Sequence, residues 1–373
     1  MERYIEKGGK RLRYGYTTGT CAAAAAKASA LLLFGGQRSE AVDIDTPKGW
    51  RVGVQIFELQ MEGCDAAVCC AVKDSGDDPD MTSGMRIYAR VERAKAPGIR
   101  LEGGRGIGRV TRPGLSVAPG EAAINPVPRR MIESEVAAVL PEGEGATVTI
   151  FAPEGEEVAR RTFNPKLGIE GGISIIGTSG IVEPMSEEAI KESLRLELSV
   201  LRSSGAHTAV FSPGNYGRDF CIQNGIGEKL LIKTSNYAGY MLCEAEKLGF
   251  REILWVGHIG KLVKLAAGIF NMHSSCGDAR LETLAAYAAL VGAGRDTVGL
   301  ILSSNTAEEA TEHICDAGLE EAFAEVASRA SARCREHCGG NIKVGTVLFS
   351  QGRGLLAMCD SARWIMEEQG WRG

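Results

Sequence analysis

The chain has 373 residues, 44% of them hydrophobic and 24% charged, with a formal net charge of −5. That length predicts two domains with cores that need no covalent staples, and that balance excludes extended disorder. A net negative chain with 6% aromatic residues has no electrostatic or stacking basis for bulk attraction to nucleic acid or membrane.

In chain order, the first element predicted is a helix over residues 20–33, rich in Ala and Leu and stopped by Gly35 and Gly36. Its apolar run follows Arg11 and Arg13, as in a secretory leader, but Lys27 interrupts it and no small-residue cleavage site follows. The run is also short of the roughly 20 residues of a membrane span, so it reads as a buried helix. Eleven cysteines, an odd number without repeated spacing, indicate reduced thiols and a cytoplasmic setting.

Strand-like segments follow at 41–45, 51–59, 64–72 and 85–93, then a helix at 129–140 and a strand at 146–151. The first 160 residues therefore read as an α+β domain. The remainder, 161–373, reads as an α/β domain with a mostly parallel or mixed sheet, and the boundary is expected between 150 and 170. Its strands are predicted at 207–211, 230–233, 253–256, 298–302 and 344–350. Its helices are predicted from Ser186, at 237–248, 261–268, 280–291 and 307–330, and in a last segment ending near Glu368.

No P-loop, dinucleotide fingerprint, zinc-protease motif or nucleophile elbow is present, which argues against the corresponding enzymes. Four segments could carry other chemistry. Residues 12–21 (LRYGYTTGTC) place Thr17, Thr18, Gly19 and Thr20 at a helix start, where an anion or a plain Thr cap is expected. Residues 73–84 (KDSGDDPDMTSG) hold four acids that suit a cation, a ligand amine or only solvent; the spacing is not that of a calcium loop.

Residues 99–130 carry six arginines against two acids, among many glycines. Arg105, Arg109, Arg112, Arg129 and Arg130 suit carboxylates or phosphates, and the glycines would admit a ligand close to the backbone. A basic surface hairpin is the alternative. The fourth group is a set of polar turns at predicted strand ends: 177–180, 212–217, 235–236 and 257–260. Open α/β sheets bind ligands in the crevice beyond such ends. His258 and His273 lie near these turns. The run 334–338 (CREHC) lacks structural-zinc spacing, so no protein metal site is expected.

Several segments together strongly resemble the CbiD family: GYTTGTCAAAAAKA (15–28), VKDSGDDPDMTSG (72–84), GGRGIGRVTRPGL (103–115), PGEAAINPVPRRMI (119–132), NPKLGIEGGISIIGTSGIVEPMS (164–186), PGNYGRDF (213–220) and GHIGKLVKLAAGIFNMHS (257–274). The resemblance runs in order from about residue 10 to 360. It weakens at 275–278 and 334–338.

The resemblance implies a cobalt-precorrin-5B (C-1)-methyltransferase of the anaerobic cobalamin route. S-adenosyl-L-methionine would be the methyl donor, cobalt-precorrin-6A the product, and the cobalt would arrive within the substrate. The fold of the pathway's other ring methyltransferases is not implied. On this reading Thr17, Thr18, Gly19, Thr20 and the five arginines hold the carboxylate-fringed macrocycle. Gly177, Thr178, Ser179 and Gly180, with Gly257 and Gly260, line a cofactor crevice in the second domain. Asp77, Asp78, His258 and His273 are the candidates for moving a proton.

A corrinoid carrier without catalysis is the alternative, and a sugar or nucleotide kinase is a weaker one. Partners are expected to be the small-molecule corrinoid, a second copy of the chain in a homodimer, and neighbouring pathway enzymes in transient contact.

Overall fold

The computed structural model describes residues 2–371. Its contacts divide the chain into two units, Met1–Ala189 and Ile190–Gly373. The change in sequence character at 150–170 precedes that division, because residues 164–182 pair back onto the first unit through 172–173 beside 106–107 and 181–182 beside 15–16.

The first unit opens with a hairpin, β1 (Tyr4–Lys7) and β2 (Lys10–Arg13), and then helix α1 (Thr18–Gly35). Gly36, at φ +64, closes α1 by turning its N–H back to the carbonyls of Leu31 and Leu32. Next come β3 (Ala41–Asp45), β4 (Arg51–Glu62), β5 (Ala66–Val72), β6 (Arg86–Ala94), β7 (Gly98–Gly103), α2 (Pro126–Ala137) and β8 (Gly145–Phe151). The sheet order is β3-β4-β5-β6-β8-β7, antiparallel except for the last pair. β3 alternates exposed and buried residues, with Val42 and Ile44 inward, as a sheet with one wet face requires.

By length and hydropathy α1 could cross a membrane, but 78% of it is buried within the unit. Ala22 to Ala26 are each 0% exposed. These small side chains let the helix approach the sheet closely. There the Cys69 thiol donates to the Ala25 carbonyl at 3.1 Å, and Ser29 Oγ donates to the Ala89 carbonyl at 3.0 Å.

The second unit begins in α3 (Glu187–Ser203). It continues with β9 (Thr208–Ser212), α4 (Asn215–Gln223), β10 (Leu231–Lys233), α5 (Ala238–Lys247), β11 (Glu252–His258), α6 (Ile259–Ala266) and α7 (Arg280–Leu290). Then follow α8 (Arg295–Ser303), α9 (Ala307–Asp316), α10 (Glu321–His337), β12 (Lys343–Ser350), β13 (Gly354–Met358) and α11 (Asp360–Glu368). The sheet order is β10-β9-β11-β12-β13; the first four strands are parallel and β13 is antiparallel. The core is built on Phe211, Trp255 and Phe323, all 0% exposed. The whole is α/β with mixed sheets.

Two expected elements differ. Residues 298–302 form helix α8, not a strand: only Ile301 of the run is fully buried, while Leu300 and Leu302 are about half exposed. A short apolar run has no periodicity that separates the two. The single helix expected over 307–330 is two, α9 and α10, because Gly318 at φ +70 ends the first.

Candidate functional site

In the first unit, the start of α1 is already occupied by the chain itself. Thr17 caps the helix, its Oγ1 accepting from the Thr20 N–H at 3.2 Å. Thr20 Oγ1 donates to the Gly180 carbonyl at 2.6 Å, and the Gly19 N–H donates to the Ile176 carbonyl at 3.0 Å. Thr18 Oγ1 accepts from the Ile176 N–H at 2.9 Å. All four residues are buried.

The segment that plugs this helix end is 174–180. A Cβ on Gly177, at φ +138, would lie 2.2 Å from Thr17 Oγ1; one on Gly180 would lie 2.8 Å from Thr46. These glycines pack the loop onto the cap. Ser179 Oγ donates to the Ile181 carbonyl, and Thr178 is exposed. Gly177, Thr178, Ser179 and Gly180 thus belong to the first unit, which corrects their placement in a second-domain crevice with Gly257 and Gly260.

Gly106 and Gly108 serve chain crossing, while Gly103 and Gly104 make room for side chains of 122 and 149. A Cβ on Gly106, at φ +75, would sit 1.8 Å from the Ala152 carbonyl oxygen, and one on Gly108 would meet the Gly172 oxygen at 2.8 Å. Close backbone-to-backbone packing, not ligand approach, accounts for the spacing there.

The arginines carried by this framework point outward. Arg105, Arg109, Arg112 and Arg130 are exposed and Arg129 is partly so. Arg109 donates to the Gly120 carbonyl at 3.0 Å, and the stem of Arg112 lies against Gly168. Among the described residues, Arg105, Arg112, Arg129 and Arg130 have no ion pair.

Backbone bonds tie their segments into one patch: the Gly108 N–H to the Ile173 carbonyl, the Ala123 N–H to the Gly108 carbonyl, the Asn125 N–H to the Ile175 carbonyl. Arg129 and Arg130 sit near the start of α2, whose first turn contains no acid. Cations at the positive end of a helix repel it, and an anion there would relieve the repulsion. Glu121 and Glu170, the Cα partner of Arg109, border the patch.

The acidic segment is a brace. Lys73 is 3% exposed, and its ammonium meets Asp80 at 2.5 Å and Ser75 Oγ at 2.6 Å. Asp74 accepts both Arg13 guanidinium nitrogens, at 2.5 and 2.7 Å, and this bond holds its carboxyl below the ordinary range. Asp77 accepts from the Arg13 N–H at 2.6 Å and Asp78 from the Met185 N–H at 2.8 Å. The two predicted proton carriers of this loop are spent on backbone donors.

In the second unit, the carboxyl ends of β9, β10 and β11 lie together. His258 caps α6, its Nδ1 accepting from the Gly260 N–H at 3.1 Å, while Nε2 faces Glu308 Oε2 at 2.7 Å. Glu308 Oε1 accepts from the Gly352 N–H at 2.9 Å. A Cβ on Gly257 would press on Leu262 at 2.9 Å, and one on Gly260 on His258 at 3.2 Å, so both glycines serve local packing. His273 is exposed and caps its own turn, accepting from the Ser275 N–H at 3.2 Å.

Sequence reasoning took Tyr216 and Asn236 only as members of polar turns, and passed over Lys261 and Lys264. Two lysines three residues apart, directly after a strand of a parallel sheet, were the available signal. Lys261 Nζ donates to Asn236 Oδ1 at 2.9 Å. On the same edge an open groove of about 570 Å³ is lined by Tyr216, Phe220, Phe349 and Leu355, with Phe220 and Phe349 stacked at 4.4 Å.

Among the described residues no three His, Cys, Asp or Glu side chains converge as metal ligands. Cys334 is buried, with its thiol pKa pushed up by that burial, and His337 stacks on Phe270 at 4.0 Å.

Family models match at residues 5–184, described as CbiD, and at 271–360, described as the CbiD C-terminal domain. A protein named cobalt-precorrin-5B C(1)-methyltransferase from Thermoanaerobacter sp. (strain X514) is 51% identical, over 96% of this chain and 98% of its own. One of the same name from Alkaliphilus metalliredigens is 49% identical, over 98% and 97%. The crystal structure of cobalamin biosynthesis protein (cbiD) from Archaeoglobus fulgidus aligns with 73% of this chain and 86% of its own, at 29% identity and a TM-score of 0.38.

Proposed function

Because the chain belongs to the CbiD family of methyltransferases, we propose that it methylates ring carbon 1 of cobalt-precorrin-5B, with S-adenosylmethionine as donor and cobalt-precorrin-6A as product. The carrying observation is the arginine patch of the first unit. A chain of net charge −5 keeps four exposed or half-exposed guanidinium groups there without ion pairs. A macrocycle fringed with acetates and propionates supplies the missing partners, each arginine offering two parallel N–H donors to a carboxylate. The cobalt belongs to that substrate.

The second unit has the features a donor of this type needs. Tyr216, 65% exposed at the groove lined by Phe220 and Leu355, offers flat apolar surface to an adenine. S-adenosylmethionine, when bound, supplies an electrophilic sulfonium methyl to a carbon nucleophile.

The chain's own work is then to bind, align and exclude water, which can supply most of the acceleration for a displacement. Of the four candidate proton carriers, Asp77 and Asp78 hold backbone N–H groups and His273 holds its own turn. His258 lies at the crevice but has both ring nitrogens engaged, so its role is to fix the start of α6 and the orientation of Glu308. Eleven cysteines without a repeated spacing support a cytoplasmic setting for the enzyme.

The test is anaerobic incubation with methyl-labelled S-adenosylmethionine and cobalt-precorrin-5B, followed by mass spectrometry of the corrinoid. One labelled methyl at ring carbon 1 is the expected result. A bound corrinoid that stays unmethylated, beside an active control methyltransferase, would make the chain a carrier.

A further inference from the structure

Two buried lysines in this protein are held in opposite ways. Lys73, 3% exposed, has the carboxylate of Asp80 at 2.5 Å. Lys264, also 3% exposed, has none: its ammonium donates to the carbonyls of Gly277 at 2.8 Å and Met272 at 3.4 Å. Burying a charge without a counter-charge is costly.

The cost is compounded by its neighbours. Lys261 reaches the same Met272 carbonyl, at 3.5 Å. Lys264 and Arg280 also lie within electrostatic range of Lys261, and partial desolvation together with these two cations pulls the Lys261 ammonium below its ordinary pKa. The neighbouring carboxylate, Asp278, is already held by Arg280 at 2.7 and 2.6 Å. Three cations therefore share one anion.

The cluster is placed where a ligand can use it. Asn236 follows β10 and Lys261 opens α6 after β11, so their hydrogen bond closes across the carboxyl edge of the sheet. There the chain leaves β9 to one side for β10 and then crosses to the other for β11. Asn236 spends Oδ1 on Lys261, and among the described residues its Nδ2 has no acceptor. Lys261 is exposed. One ammonium and one amide N–H are two donors side by side, a match for the two oxygens of a carboxylate, with Lys264 and Arg280 adding positive potential behind them.

We propose that Lys261 and Asn236, backed by Lys264, form a carboxylate-binding subsite at the carboxyl edge of the second unit's sheet. The proposal rests on the functional reading above for its ligand class. That reading offers two carboxylate sources: the amino-acid end of the methyl donor and the acid side chains of the macrocycle.

The test uses the full chain and the Lys261→Met variant, which keeps the apolar stem. Binding is measured for S-adenosylhomocysteine against 5′-methylthioadenosine, which lacks the carboxylate, and for cobyrinic acid against the amidated cobinamide. A charge-assisted bond to a ligand is worth about tenfold or more in affinity. Lys261→Met should weaken the carboxylate-bearing member of one pair by about that factor, leave its carboxylate-free counterpart within about twofold, and Lys261→Arg should recover part of the loss. A loss confined to S-adenosylhomocysteine identifies the donor's carboxylate as the occupant; a loss confined to cobyrinic acid identifies the macrocycle's.

If the natural chain binds neither nucleoside, the donor reading fails, and a selective loss on cobyrinic acid would still uphold the subsite. Equal effects within both pairs, or no binding by the natural chain of any of the four, would overturn it. Circular dichroism of the variant, expected to be unchanged, separates these outcomes from misfolding.

Discussion

Helices α1 and α6 begin alike and end up serving differently. Each follows a polar, glycine-containing turn; in the sequence the first start reads as an anion site and the second as part of a ligand crevice. At α1 the chain fills the position itself: carbonyls from 176 and 180 take the Gly19 N–H and the Thr20 hydroxyl, and all of Thr17 to Thr20 is buried. At α6 the cap is a single histidine, and Lys261 and Lys264 beyond it are hydrogen-bonded to carbonyl and amide oxygens, the nearby Asp278 being held by Arg280. A helix start recognises a ligand only where the protein has left donors unspent. The same contrast separates Gly106 and Gly108, consumed by backbone crossings, from Arg105 between them, which remains unpaired.

That contrast can be broken in four places. The largest effect is expected where a buried cation loses its partner. Asp80→Ala strands Lys73 and should cost on the order of 3 kcal/mol in chemical denaturation. Burial works to raise the Asp80 carboxyl, but Lys73 and Thr82 outweigh it and hold the pKa below its ordinary 3.8. The pair's stabilisation is therefore complete above that value and lost as pH falls through the lower folded-state value. Asp80→Asn should flatten the acid limb of a stability–pH curve; an unchanged limb would show that the brace contributes nothing.

Next is the double change Arg105→Ala with Arg130→Ala. Corrinoid affinity should fall roughly a hundredfold, about 2.7 kcal/mol, with thermal stability nearly unmoved because neither guanidinium has a protein partner. Titration of a corrinoid polycarboxylic acid checks it, and unaltered affinity would remove the patch from the site.

Gly177→Ala should cost about 2 kcal/mol, since its Cβ would run into Thr17 and φ +138 suits only glycine. A thermal shift of the natural size would mean that the plug over α1 is not structural. The smallest effect is Thr17→Ala, about 1 kcal/mol for a lost helix cap, read from the same melting curves.

Much of the fold was legible because local chemistry and tertiary context agree. The Ala run announces α1, alternation announces β3 and β4, and apolar strands beside helices announce the parallel sheet. Residues 298–302 misled because a short apolar run suits helix and strand equally until burial decides, and there only Ile301 turns inward. The arginines were legible as a positive excess in a negative chain.

The glycines were misread because sequence cannot distinguish a backbone that crosses another backbone from one that approaches a ligand. The backbone partners of Asp77 and Asp78 were hidden for a related reason: the N–H groups they accept from, of Arg13 and Met185, lie 64 and 107 residues away. Lys261 and Lys264 were overlooked because lysines on a helix usually face water, and only the carbonyl partners of Lys264 reveal a buried one.

The central claim divides the labour: the macrocycle on the arginine patch, the donor at the edge of the second sheet. Hydrogen–deuterium exchange with each ligand added alone tests this most directly. The predicted result is that S-adenosylhomocysteine slows exchange at 212–217, 234–236 and 258–264, and a corrinoid polycarboxylic acid slows it at 103–112 and 125–130. Protection by S-adenosylhomocysteine at 15–20 and 174–180, with none in the second unit, would contradict it.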